Sequence, residues 1–107
     1  MREPQEKIIA GHTISVVPLP AMRACKLTPM AMRGIKALSE DEMEHYVKAV
    51  LAGARCDGKE ILSATFDLDW QGRADELMAV IAFAAGVNWP SFFGGPATAP
   101  EAPPSAA

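Results

Sequence analysis

An excess of positive charge is the first thing this chain lacks. Its 107 residues carry 10 Lys and Arg against 13 Asp and Glu, a net charge of −3. A general nucleic-acid binder needs a basic surface to neutralise phosphates, so that class is disfavoured. Cysteine is nearly absent: Cys25 and Cys56 are the only two. They do not form a Cys-x-x-Cys pair, and neither stands at metal-ligand spacing from His12 or His45. Without a secretory leader, two such cysteines read as small buried hydrophobes rather than as a bridge. Met1 to Lys7 have no apolar run behind them long enough for secretion. The longest apolar stretch, Leu77 to Ala85, falls far short of the ~20 residues that span a bilayer. Gly94-Gly95 has no helix after it and so cradles no phosphate. Asp67-x-Asp69 lacks the glycine and distal glutamate of a calcium loop. No internal repeat is present. These absences leave no catalytic, cofactor or metal residue to assign, and they predict a soluble, cytoplasmic protein that is not an enzyme.

What is present predicts an α+β fold: a short N-terminal β-hairpin packed on three or four α-helices, with a disordered C-terminal tail. A flexible end over 1–6, a single domain over 7–87 and a Pro/Ala-rich tail over 88–107 divide the chain. A core of about 80 residues is marginal, and domains of that size often gain stability by oligomerising, so a homo-oligomer stays open. Lys7-Ile8-Ile9-Ala10 and Thr13-Ile14-Ser15-Val16-Val17 are β-branched runs separated by Gly11-His12, which reads as the hairpin turn. Ile14 and Val16 share the face that must rest on helices.

Pro20 can open a helix to Leu27, with Met22, Cys25 and Leu27 inward. Thr28-Pro29 then interrupts it, Thr28 as an N-cap and Pro29 at the first helical position, and the chain restarts to Leu38. A single kinked helix is the competing reading. Ser39 and Glu42 form a capping box. After it Met43, Tyr46, Val47, Val50, Leu51 and Ala54 make one helical stripe, with Gly58 as a left-handed stop. Residues 59–71 are ambiguous. Phe66-Asp67-Leu68-Asp69-Trp70 alternates like a strand, yet also suits an ordered linker with a helical turn. A last helix is predicted over Arg73 to Ala85, with Leu77, Val80, Ile81 and Ala84 inward and Gly86 ending it. Five prolines lie between 88 and 107, and the closing residues after Phe93 have almost no apolar bulk to offset the entropy of ordering.

Charge is unevenly spread. Arg23, Lys26, Arg33 and Lys36 lie between Pro20 and Leu38 with no acid among them, whereas acids dominate from Ser39 to Leu77. Either the basic helix lies against acidic ones within the fold, or it is a partner-binding face. Met22, Met30, Met32, Met43 and Met78 fall in helical segments, where thioethers fill cores or line adaptable grooves. Trp89, Phe92 and Phe93 either fold back as a lid on the helices or present a docking segment.

The order of an extended pair, Val16-Val17-Pro18-Leu19-Pro20-Ala21-Met22-Arg23, a basic helix, Leu38-Ser39-Glu40-Asp41-Glu42-Met43-Glu44 and an amphipathic helix resembles the small tail assembly chaperones of long-tailed bacteriophages and prophages. Ala84-Ala85-Gly86-Val87 fits the end of their common body, and the resemblance covers about Ile8 to Val87. It implies a helper in the host cytoplasm that binds the tape-measure protein, or tail-tube subunits, during tail assembly and leaves before the tail is complete. A Met-rich groove would cover the apolar stripes of such a helical client. The contact surface expected from charge and exposure is Arg23, Lys26, Met30, Met32, Arg33 and Lys36, joined by Trp89, Phe92 and Phe93. A minor virion protein, or a small DNA-binding regulator using the 20–38 helix, are the other readings.

Overall fold

The computed structural model describes residues 3–93; of the tail expected over 88–107, residues 88–93 are described and all but Trp89 are helical, and 94–107 lie outside the described residues. The order is β1 (Gln5–Ile9), β2 (His12–Val16), α1 (Ala21–Arg33), a 3-10 turn (Ile35–Ala37), α2 (Glu40–Val50), β3 (Arg55–Cys56), β4 (Lys59–Glu60), α3 (Phe66–Asp69), α4 (Ala74–Asn88) and α5 (Pro90–Phe93). The α+β expectation therefore holds.

The strands form one antiparallel sheet in the order β1-β2-β3-β4. The first turn is Ala10-Gly11 rather than Gly11-His12, because Ile9 pairs with His12. Both turn residues have positive φ, 52° and 82°, the signature of a two-residue turn whose twist matches the strands. Ala10 has a Cβ in that left-handed conformation, so Ala10→Gly is expected to raise the urea midpoint, by roughly 1 kcal/mol in stability. As expected, Ile14 and Val16 are buried, at 1% and 0% exposure. β1 already includes Gln5 and Glu6, which the sequence assigns to a frayed end.

Residues 55–60 add two strands that the sequence pattern does not announce. Ile14 pairs with Cys56 and Ser15 with Arg55. Asp57 and Gly58 form the β3–β4 turn with positive φ, so Gly58 is not the stop of the preceding helix. α2 ends at Val50, and Leu51 and Ala54 complete its buried stripe from the turn that follows.

α1 is continuous, and neither Thr28 nor Pro29 starts a new helix. The Thr28 hydroxyl donates back to the Ala24 carbonyl at 2.9 Å. Pro29 is exposed. The bond lost for want of its N–H is the one to Cys25, four residues back on the same wet side. The helix stops at Gly34, whose φ of 82° and ψ of 151° suit glycine alone. A Cβ there would meet nothing within 4 Å, so Gly34→Ala should cost about 1–3 kcal/mol through the backbone alone, read as a lower urea midpoint.

At α2 the capping box is complete. Ser39 Oγ accepts from the Glu42 N–H at 3.2 Å, and Glu42 Oε1 accepts from the Ser39 N–H at 3.0 Å. Residues 66–69 are a helical turn, not a strand, with Phe66 half-buried and Trp70 buried one turn apart. α4 runs through Gly86 to Asn88 and buries Val80, Ile81, Phe83, Ala84, Ala85 and Gly86. Burial on several sides makes it the central helix, with the sheet on one side and α2 on another. The Asn88 side chain explains why it continues. Its carbonyl oxygen accepts from the Leu19 N–H at 2.8 Å, and its amide donates to Ala84 at 2.9 Å, fastening the 17–20 linker to the end of α4. Among the described residues no side chain that is polar or charged is buried.

Candidate functional site

α1 decides how the basic segment is displayed. Ala24, Leu27, Thr28 and Ala31 form the row that faces the core, with Leu27 and Ala31 buried. The opposite row is Met22, Lys26, Pro29 and Arg33, at i, i+4, i+7 and i+11, all exposed. Cys25 and Met32 lie on one flank of that row and Arg23 on the other. Met22 and Met32 are 66% and 62% exposed, so α1 presents thioethers and cations together on its outer face. The expectation of Met22 and Cys25 as inward residues is corrected: the small residues of α1 face the core because they let the helix approach it. Cys25 is exposed and Cys56 half-buried, so neither is a fully buried hydrophobe.

Of the nine residues named from the sequence, Arg23, Lys26, Met32, Arg33 and Lys36 are exposed. Met30 is partly buried against the core. Arg33 is also an internal partner: its Nη2 donates to Glu42 Oε2 at 2.7 Å, so basic and acidic segments do meet at one point. Arg23, Lys26 and Lys36 form no salt bridge with another described residue. The Ser39 N–H and then the Arg33 guanidinium hold the Glu42 carboxyl below its ordinary pKa. Any stability from this depressed pKa is present at neutral pH and is lost as the pH falls through the acid range. Ser39→Ala removes one of the bonds and should cost about 1 kcal/mol, read by urea unfolding.

Trp89 is part of the core. It is 7% exposed and stacks on Tyr46 with ring centroids 6.2 Å apart and planes at 17°. Its Nε1–H donates to Thr28 Oγ1 at 3.0 Å. Burial removes Trp89 from the outer surface and makes it the lid of the two sequence alternatives. The backbone of Phe92 and Phe93 lies in α5; their side chains are outside the described set.

A second surface, not located from sequence, is an open groove of about 530 Å³ between the 3-10 turn, α2, the linker into α3, and α4. Its residues come from four separate segments, so no local pattern announces it.

The one cluster with metal-ligand chemistry among the described residues is His12, Cys56 and Asp57, whose ligand atoms lie within 4.8 Å of one another. Its geometry is accounted for by the sheet. Asp57 Oδ2 bonds His12 Nδ1 at 2.7 Å, and Oδ1 accepts from the Thr13 N–H at 2.9 Å. Both oxygens thereby pin the β3–β4 turn to the start of β2. The His12 bond, then the Thr13 N–H, hold the Asp57 carboxyl low, while burial, then the Asp57 charge, push the Cys56 thiol up. A thiol so raised is a weak nucleophile at neutral pH. No helix among the described residues is long and apolar enough to cross a membrane.

Residues 22–98 match the family described as phage tail assembly chaperone protein, TAC. The match runs from the start of α1 past α5 and covers most of the chain, which therefore belongs to the phage tail assembly chaperone family. The β1–β2 hairpin and the Pro18-Leu19-Pro20 segment precede the matched stretch. Comparison with curated proteins and with solved structures gives no match.

Proposed function

We propose that this chaperone works without bond-making chemistry, by binding the helical tape-measure protein in the host cytoplasm while the tail is assembled. The observation that carries this reading is the outer face of α1. Two methionines more than 60% exposed stand beside Arg23, Lys26 and Lys36, none of which forms a salt bridge with another described residue. Exposed thioethers adapt to apolar stripes of differing shape, and lysine and arginine heads can follow the acidic side chains that flank such stripes. The contact surface is Met22, Arg23, Lys26, Met32 and Lys36, with Met30 and Arg33 at its margin, where each is also held by the fold. Phe92 and Phe93 belong to the same surface on the sequence reading.

The test is co-expression of the tagged chain with the tape-measure protein of the same phage. Stable co-purification is expected, with the client kept soluble. A tape-measure protein that is equally soluble alone and never co-purifies would overturn the reading.

A further inference from the structure

The groove behind α2 is a second uncovered surface, and its chemistry is the reverse of α1. The floor is apolar, made by Val47 of α2, Leu62 and Phe66 of the linker and α3, and Leu77 and Ile81 of α4. Met43 and Met78 stand at its lips, 38% and 43% exposed. The charged residues of the rim are Glu40, Glu44 and Asp67 against Lys48 alone. Lys48 is bound to Glu44 at 2.6 Å, and neither Glu40 nor Asp67 forms a salt bridge with another described residue.

We propose that this groove docks an amphipathic helix of a partner protein, one with apolar side chains at i, i+3 or i+4, and i+7 and with lysine or arginine on its flanks. The inference rests on the reading of the chain as a chaperone for a helical client and adds a second contact of opposite charge to the first. Three observations select this occupant. The acidic rim calls for cations beside the apolar anchors. The chain's own residues 94–107 contain no large apolar side chain, and their one charged residue is Glu101, of the same sign as the rim. The longest exposed helix face that a second copy could offer is that of α1, which has Cys25 and Pro29 where central anchors are needed between Met22 and Met32.

The probe is a fluorescein-labelled helical peptide of about 18 residues, five turns, with leucines in one stripe and lysines beside it. A sister peptide carries glutamates in place of the lysines. Anisotropy with the full chain should show the lysine peptide binding at least about tenfold more tightly than its sister. Met78→Glu and, separately, the surface change Asp67→Lys should each weaken it by a similar factor, while Glu6→Lys on β1 leaves it unchanged. Unfolding midpoints of Asp67→Lys and Glu6→Lys near the parent value keep the comparison on the surface. Equal binding of the two peptides, or binding indifferent to both groove changes, overturns the proposal. So does a self-association in sedimentation that Asp67→Lys dissolves and the peptide does not compete with, for then a second copy fills the groove. Tape-measure capture that survives both groove changes refutes the groove but not the chaperone reading; a parent chain that captures no tape-measure protein refutes that reading itself.

Discussion

Trp89→Ala should remove about 3–5 kcal/mol of stability, the usual cost of deleting a buried tryptophan. Domains of this size hold about 5–15 kcal/mol in total, so the variant loses a large share of its stability. Three elements meet on this side chain. Its ring lies against Tyr46 of α2, its N–H reaches Thr28 in the middle of α1, and its backbone closes α4 by donating to the Ala85 carbonyl at 2.7 Å. Trp89→Phe keeps an aromatic ring and loses the hydrogen bond and some volume, so a smaller loss, about 1–3 kcal/mol, is expected. Urea unfolding followed by tryptophan fluorescence or circular dichroism gives both values. A loss under about 1 kcal/mol for Trp89→Ala would show that the domain ends before residue 89. The same reasoning makes 88 an unsuitable truncation point: a chain cut there should be poorly folded, because the cut removes the indole that joins α1 to α2.

Reversing charge at Arg23 and Lys26 together should reduce capture of the tape-measure protein by at least about tenfold, or 1.4 kcal/mol, with the urea midpoint unchanged. Both side chains are exposed and free of salt bridges within the described fold, so the change touches the outer surface alone. Arg33 is less suitable for the experiment. Its guanidinium binds the carboxylate that also caps α2, and Arg33→Glu would place two acids together at the start of that helix. A loss of capture there could come from a weakened cap. Met22→Asp and Met32→Asp probe the apolar half of the same face. If the double charge reversal and both methionine changes leave capture at the parent level, the client binds elsewhere and the α1 face is surplus surface.

Where the sequence is legible, the cause of the structure is local. Ser39 and Glu42 stand three residues apart and satisfy each other's backbone groups, and Ile14 and Val16 alternate because the strand has a period of two. Legibility fails where distant contacts override a local signal. Pro29 reads as a break, yet its ring lies on the solvent side of α1, where losing one helical hydrogen bond is cheap. Asp57-Gly58 is a strong hairpin signal, but each flanking strand has only two residues, too few to show alternation, so Gly58 resembles a helix stop. Gly86 does not end α4, because Asn88 ties the helix end to Leu19, a contact across 69 residues that no spacing rule reveals. The candidate surface shows the same division. The cations and methionines of α1 are legible as a group, whereas exchanging Met30 for Met22 requires knowing that Ala24, Leu27 and Ala31 face inward. The groove is invisible in any one segment.

The most direct test of the central claim is quantitative mass spectrometry of two samples: tape-measure protein isolated from cells in which tails are assembling, and the finished phage particles. A chaperone that covers the tape-measure protein and departs will be abundant in the first and absent from the second. A chain found at fixed copy number in finished particles, and missing from the tape-measure complexes, would be a component of the virion and would contradict the proposed role.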